Sequence, residues 1–161
     1  MPREIERKFL VKNNEWRGLA HRSQRMSQGY LASGGRVSLR VRVAGEEAWL
    51  NMKTGGLVPS RQEYEYPIPA DEARELLALA EGPLIDKTRH LVEHAGMTWE
   101  VDEFHGDNAG LIVAELELEH EDEQFESPPW LAKEVTQLAR YYNSRLVKYP
   151  YRAWTEAEQN P

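Results

Sequence analysis

The stretch Glu4-Ile5-Glu6-Arg7-Lys8 sets two carboxylates and an ammonium at alternate positions. Side chains on a strand alternate between faces, so Glu4, Glu6 and Lys8 would share one face while Ile5 and Phe9 take the other. Two carboxylates and an ammonium in one row can hold a divalent cation beside an anionic oxygen. That chemistry suits phosphates.

The same alternation recurs along the chain. Ser38, Arg40 and Arg42 alternate with Val37, Leu39, Val41 and Val43, and Trp49, Asn51 and Lys53 alternate with Ala48, Leu50 and Met52. Arg61, Glu63 and Glu65 alternate with Gln62, Tyr64 and Tyr66. Lys87 shares a face with Arg89, Glu100 with Asp102, and Glu115 with Glu117 and Glu119. The polar positions are nearly all ionic, and their signs segregate by strand: acidic at 4/6, 100/102 and 115/117, basic at 40/42 and 87/89. A solvated antiparallel sheet, the simpler reading of any one of these strands, prefers opposite charges across from each other. A ligand site needs its cationic and anionic surfaces held apart.

The elements that must carry these residues are mostly strands, expected at 3–11, 27–31, 36–43, 47–53, 61–67, 84–93, 97–104 and 111–119. Gly34-Gly35, Ala44-Gly45 and Ala95-Gly96 mark turns, and Thr54 through Pro59 reads as a longer, mobile loop. A short helix is expected from Asn13/Asn14 through Leu19 and a second over 71–80, stopped by Gly82-Pro83. A third is expected after Ser127-Pro128-Pro129, with Trp130, Leu131, Val135, Leu138, Ala139 and Tyr142 as its apolar stripe. The fold class is thus α+β, mainly antiparallel β. Eight strands suffice for a closed tunnel barrel with the charged face inward, helices packed outside, and a C-terminal helix. Burying so many charges is costly unless water, metal and ligand satisfy them, so such an interior would be functional.

Size and composition bound this reading. The 161 residues suit a single domain over 1–149, followed by a polar tail over 150–161 that is expected to fray. A net charge of −7 argues against nucleic acid and anionic membrane as partners, and no apolar run approaches the ~20 residues of a membrane helix. There is no signal-peptide core at the start and no cysteine, so a cytoplasmic location is expected and thiolate metal sites are excluded. The five histidines lack metal-ligand spacing, and no Gly-x-x-x-x-Gly-Lys-Ser/Thr loop is present.

The ordered series Glu4-Ile5-Glu6-Arg7-Lys8-Phe9-Leu10-Val11, Arg40/Arg42, Lys53, Arg61 through Glu65, Lys87-Thr88-Arg89, Trp99 through Asp102 and Glu115-Leu116-Glu117 resembles the CYTH domain, or triphosphate tunnel metalloenzyme, family. The likeness runs over about residues 3–147. It implies an eight-stranded antiparallel tunnel that binds triphosphate and needs a divalent metal, Mg²⁺ or Mn²⁺. By family position Glu4, Glu6, Glu115 and Glu117 are the metal ligands, with Asp102 helping directly or through water. Lys8, Arg40, Arg42, Lys53, Arg61, Lys87 and Arg89 would line up along the triphosphate, the arginines in bidentate fashion.

Lys8 has two readings: plain phosphate binding, or general base if neighbouring cations depress its pKa, with Tyr30 as its hydrogen-bond partner. Glu63, Glu65 and Glu100 take supporting roles, the first two holding neighbouring arginines in place. The short chain points first to hydrolysis of inorganic triphosphate to pyrophosphate and phosphate. A class IV adenylyl cyclase, a thiamine triphosphatase using Trp49 to stack on the organic cation, and a non-enzymatic polyphosphate-binding module are the alternatives. The small-molecule triphosphate is the expected partner, and a homodimer is left open.

Overall fold

A computed structural model describes residues 3–55 and 60–161; residues 56–59 of the expected mobile loop lie outside the described residues. Strands β1 (Arg3–Val11), β2 (Ala20–Ala32), β3 (Val37–Ala44), β4 (Glu47–Thr54), β5 (Ser60–Pro67), β6 (Ile85–His94), β7 (Met97–Phe104) and β8 (Ile112–Glu117) pair antiparallel in the order β5-β4-β3-β2-β6-β7-β8-β1. A further pairing of Arg3, Glu4 and Ile5 with Gln62, Arg61 and Ser60 joins β1 to β5 and closes the ring. Eight strands therefore form a closed barrel, as the alternating pattern predicts.

The barrel is packed from outside. The apolar face of β1, β7 and β8 buries Ile5, Phe9, Trp99, Val101, Ala114 and Leu116 under Trp16 and Trp130. Trp16 comes from α1 (Glu15–Leu19), where Asn13 Oδ1 accepts the Glu15 backbone N–H at 3.0 Å. A second cluster sets Val41 and Ala48 against Ala73 of α2 (Ala70–Leu77). The turn leaving α2 sits so tightly on Gly29 that a Cβ there would lie 2.8 Å from Ala80 Cβ. Only glycine permits that approach, which fixes the strand between Gln28 and Tyr30.

Strand β2 begins well before the expected 27–31, at Ala20, and two further expectations fail towards the C-terminus. Residues 130–142 are not a helix: they form a ninth strand, β9 (Leu131–Glu134), followed by turns and a 3₁₀ segment over Ala139–Tyr141. The reason lies on β1. Its edge pairs with β5 only through Ile5, and the buried main chain beyond needs partners. The C-terminal segment supplies them: Phe9 and Val11 pair with Glu134 and Leu131, the Val135 N–H donates to Lys8 O at 2.8 Å, and the Lys8 N–H donates to Thr136 Oγ1 at 2.9 Å. Satisfying that edge outweighs the helical spacing of the apolar residues. Helix in this region is limited to α3 (Asn143–Leu146) and α4 (Glu156–Gln159).

The tail does not fray. Trp154 packs with Tyr141, Leu146, Ile85 and Phe104 in a third cluster, its indole N–H donates to Tyr149 O, and Thr155 with Glu158 forms a capping box on α4.

Candidate functional site

Seven of the eight barrel strands turn ionic side chains inward, and β2 adds Tyr30, around a cavity of ≈ 220 Å³. Lys8, Arg40, Arg42, Lys53, Arg61, Lys87 and Arg89 face it together with Glu4, Glu6, Glu63, Glu65, Glu100, Glu115 and Glu117, so seven cations meet seven carboxylates. Tyr142, Asn143 and Ser144 are the lining residues contributed from outside the strands. The strand order places β3, β2 and β6 on one side, carrying Arg40, Arg42, Lys87 and Arg89, and β7, β8, β1, β5 and β4 on the other, carrying the carboxylates with Lys8, Lys53 and Arg61. The sign segregation read from the sequence becomes a cationic wall facing an acidic wall.

The acidic wall holds cations of its own. Lys8 Nζ lies 2.7 Å from Glu115 Oε1 and 2.9 Å from Glu6 Oε1, with the face of the Tyr142 ring at 4.8 Å. Burial works against the Lys8 ammonium, but the carboxylates of Glu115 and Glu6 outweigh it and hold the group above its ordinary range. Of the two readings of Lys8, the general-base one needs neighbouring cations to depress its pKa, and its nearest charges are anions instead. Tyr30 is not its partner either; it lines the cavity from β2, opposite Arg40 in the β2–β3 ladder. Lys53 Nζ donates to Glu4 Oε1 at 3.0 Å and lies 3.3 Å from Glu63, and Arg61 stands 3.6 Å from Glu4 Oε2. Glu65 accepts a hydrogen bond from Asn51 rather than from an arginine.

Even so, negative charge is crowded here. Glu6 faces Glu117 across the β1–β8 ladder and Glu100 faces Glu115 across β7–β8, pairings a sheet without a ligand would avoid. Burial opposes the Glu6 carboxylate, yet Lys8 and Lys53 prevail over that and over Glu4 to bring it down to about 2. Glu117 fares differently. Burial, then Glu4, Glu100, Glu63 and Glu6, push its carboxyl up to about 7. Among the described residues no three acidic or imidazole groups are drawn together as a ready-made metal cage, because Lys8 and Lys53 stand between the carboxylates.

Asp102 is set apart from these. It is fully buried and does not line the cavity; one oxygen accepts Lys87 Nζ at 2.7 Å and Arg89 Nη2 at 2.9 Å, and the other accepts Arg89 Nε at 2.8 Å. It anchors two cations from behind the wall. Glu100 accepts Arg89 Nη1 at 3.0 Å, the supporting role expected of it.

On the cationic wall Arg40 and Arg42 form no ion pair among the described residues, unlike Arg89. Arg40 is buried, and its Nε has no hydrogen-bond partner. Arg42 Nε donates to Gln28 Oε1 at 3.0 Å, a neutral acceptor, while burial and then the charges of Arg40 and Arg89 press its guanidinium below the usual range. Lys87 is driven down to about 7 by burial first; Asp102 opposes this, and Arg89 and Arg42 add to it. The sequence reading missed Gln28, Thr136, Tyr142 and Asn143 as site residues. Gln28 carried a signal, since it sits two residues before Tyr30 on the same face; Thr136 and Tyr142 lay inside the segment read as helix, and Asn143 just beyond it. Trp49, the expected stacking residue for an organic cation, does not line the cavity.

Known proteins resemble this chain in sequence and fold. The chain matches the CYTH domain over residues 2–148. It is 45% identical over 157 residues to an inorganic triphosphatase of Acetivibrio thermocellus, covering 97% of this chain and all of the relative. It is 38% identical over 149 residues to an inorganic triphosphatase of Nitrosomonas europaea, covering 89% of this chain and 96% of the relative. The crystal structure of an inorganic triphosphatase superposes with a TM-score of 0.62 at 34% identity, covering 89% of this chain and 93% of that one. A structure from Pyrococcus furiosus at 19% identity shares the fold, with a TM-score of 0.59. On matches that span nearly its whole length, the chain belongs to the CYTH domain family.

Proposed function

We propose that the protein hydrolyses inorganic triphosphate to pyrophosphate and phosphate inside its tunnel, with the help of a divalent metal. The observation that carries this reading is Arg40: a buried guanidinium on the cavity wall whose Nε lacks any partner. Burying such a group without an acceptor is costly, and a phosphate oxygen would satisfy it. Arg42 beside it is held only by an amide. Two forked donors on one strand, two residues apart, suit a linear chain of phosphates.

The balance of charge on the lining supports the metal. Seven cations against seven carboxylates leave little net charge to offset a triphosphate, so the anion is best taken up with cations of its own. Hard oxygen donors crowded around Glu117 fit Mg²⁺ or Mn²⁺. Glu4, Glu6, Glu115 and Glu117 would hold it, and when bound it supplies charge neutralisation and activation of water.

The chain's own residues do the rest. Arg40, Arg42 and Lys87 bind and orient the phosphates, Lys53 and Arg61 extend the cationic contact across the cavity, and Arg89 is fixed by Asp102. Lys8, clamped by Glu6 and Glu115, stays protonated and serves as an anion-binding and charge-stabilising group. Water attacks a terminal phosphorus; the bridging P–O bond breaks and leaves with pyrophosphate, and water's oxygen stays on the orthophosphate. No helix among the described residues is long and apolar enough to cross a membrane.

The test is phosphate release from tripolyphosphate with Mg²⁺ or Mn²⁺, compared with ATP, with and without EDTA. Rapid release from tripolyphosphate, lost in EDTA and poor with ATP, is expected. Absence of release with either metal would overturn the reading.

A further inference from the structure

Most tunnel cations are held by carboxylates, which fix their position and cancel part of their charge. Lys8 has Glu6 and Glu115, Lys53 has Glu4 and Glu63, and Arg89 has Asp102 and Glu100. Among the described residues Arg42 pairs with no carboxylate, and it is joined through two neutral amides to Lys87, whose one counter-charge is Asp102 at 2.7 Å. Arg42 Nε donates to Gln28 Oε1 at 3.0 Å, Gln28 Nε2 donates to Asn143 Oδ1 at 2.9 Å, and Lys87 Nζ donates to the same Asn143 oxygen at 2.9 Å. Gln28 and Lys87 are almost completely buried and Asn143 nearly so.

The polarity of this chain is forced. Arginine and lysine can only donate, so both ends must meet an acceptor. Gln28 therefore turns its oxygen to Arg42 and its NH₂ to Asn143. Asn143 must then present its oxygen, which is also what Lys87 requires. Each amide has one orientation that satisfies its neighbours, and each fixes a cation in the wall without adding a counter-charge. The relay also ties α3 to two barrel strands, since Asn143 comes from the segment after Tyr142 while Gln28 and Lys87 lie on β2 and β6.

We propose that Gln28 and Asn143 are positioning residues for triphosphate binding, holding Arg42 by hydrogen bonds alone and Lys87 without any counter-charge beyond Asp102, so that positive charge on this wall remains available to the anion. This rests on the triphosphate reading above. Charge neutrality at positions 28 and 143 is then a functional requirement, distinct from the need to fill the site. A carboxylate of the same shape keeps every acceptor that Arg42 and Lys87 use, but neutralises them.

The experiment compares Asn143→Asp, Gln28→Glu and Asn143→Leu with the unaltered protein. Tripolyphosphate binding is measured by calorimetry in EDTA, KM and kcat are measured with Mg²⁺, and folding is followed by thermal melting. Asn143→Asp is expected to melt at or above the wild-type temperature, because its oxygen still accepts from Lys87, while both Kd and KM for tripolyphosphate rise about tenfold or more. Its kcat should change less than its KM. Gln28→Glu should raise Kd and KM alike through Arg42 but melt lower, because it loses the N–H that the Asn143 oxygen accepts. Asn143→Leu should lose both stability and affinity, since Lys87 and Gln28 lose their shared acceptor. If the two carboxylate variants bind and turn over tripolyphosphate within twofold of wild type, while Arg40→Leu abolishes binding, the amides only fill space and the inference is wrong. If the wild type itself neither binds nor hydrolyses tripolyphosphate, the functional reading falls first and takes this inference with it.

Discussion

The two walls of the tunnel are built from the same kind of residue pattern and reach opposite electrostatic states. On the acidic wall the lysines are spent: Lys8 sits within 2.9 Å of two carboxylates, and Lys53 lies between Glu4 and Glu63. On the cationic wall Arg40 has a free Nε, and Arg42 meets only an amide. A lysine or arginine at an inward position therefore does not by itself mark an anion site. What marks it is the partner. Cations matched by carboxylates hold the barrel together, whereas cations matched by amides, or by nothing, await a ligand.

The comparison breaks hardest at Lys8. If its main task in the empty tunnel is to separate Glu6 from Glu115, then Lys8→Met leaves two buried carboxylates without their shared counter-ion. Removing one partner of a buried ion pair typically costs ~3–5 kcal/mol. For a chain of this size that is a fall in Tm on the order of 10 °C, read by thermal melting in EDTA. A variant that melts with the wild type would show that the acidic wall does not depend on its own cations.

Arg40→Leu tests the other wall and should give the reverse pattern. The substitution removes a buried, unpartnered donor, so Tm should stay level or rise. Loss of a charge-assisted contact to the bound phosphates should lower kcat/KM for tripolyphosphate by about 10²-fold. A marked loss of stability with activity retained would mean that Arg40 is structural after all, and the contrast between the walls would collapse.

Which parts of this were legible in the sequence follows from the same physics. The alternation of ionic and apolar residues in β3 to β8 placed each of those strands within a residue or two, because one face is buried against the outer clusters and a slip would expose it. The first half of β2 was not legible. Residues 20–25 are exposed or only partly buried, and their polar side chains carry no alternation; the ladder to β6 holds them as strand. The segment 130–142 was misread because its apolar spacing suits a helix, while the force that decides its shape is the unpaired edge of β1, which no local pattern displays. The ionic inventory of the site was legible for the same reason as the strands. Its partnerships were not: that Lys8 pairs with Glu115, and that Asp102 lies behind Arg89 instead of on the wall, depends on register and depth.

The smallest effect sharpens the contrast from the acidic side. Glu117 is the carboxylate whose neighbours leave it crowded by negative charge, and its pKa rises from 4.5 to about 7 on folding. A raised acid pKa means the folded state takes the proton more readily than the unfolded one. Its contribution to stability is fully present below about 4.5 and is lost as pH rises through about 7. Glu117 is substantially solvent-exposed, so screening reduces the effect to no more than ~1 kcal/mol, a few degrees in Tm. Lys87 works in the opposite sense and in a different window. Its pKa falls from 10.5 to about 7, so its burial cost is relieved only as pH rises above that value. Melting in EDTA between pH 5 and 7 therefore isolates the carboxyl: Tm of the wild type should decline relative to Glu117→Gln across that range. Adding Mg²⁺ should raise the wild-type Tm more at pH 8 than at pH 6, since the ion and the proton compete for one oxygen-rich corner, and the increment should shrink in Glu117→Gln. Parallel profiles for the two proteins would show that Glu117 carries no excess charge, leaving the acidic wall as neutral within itself as its paired lysines make it elsewhere.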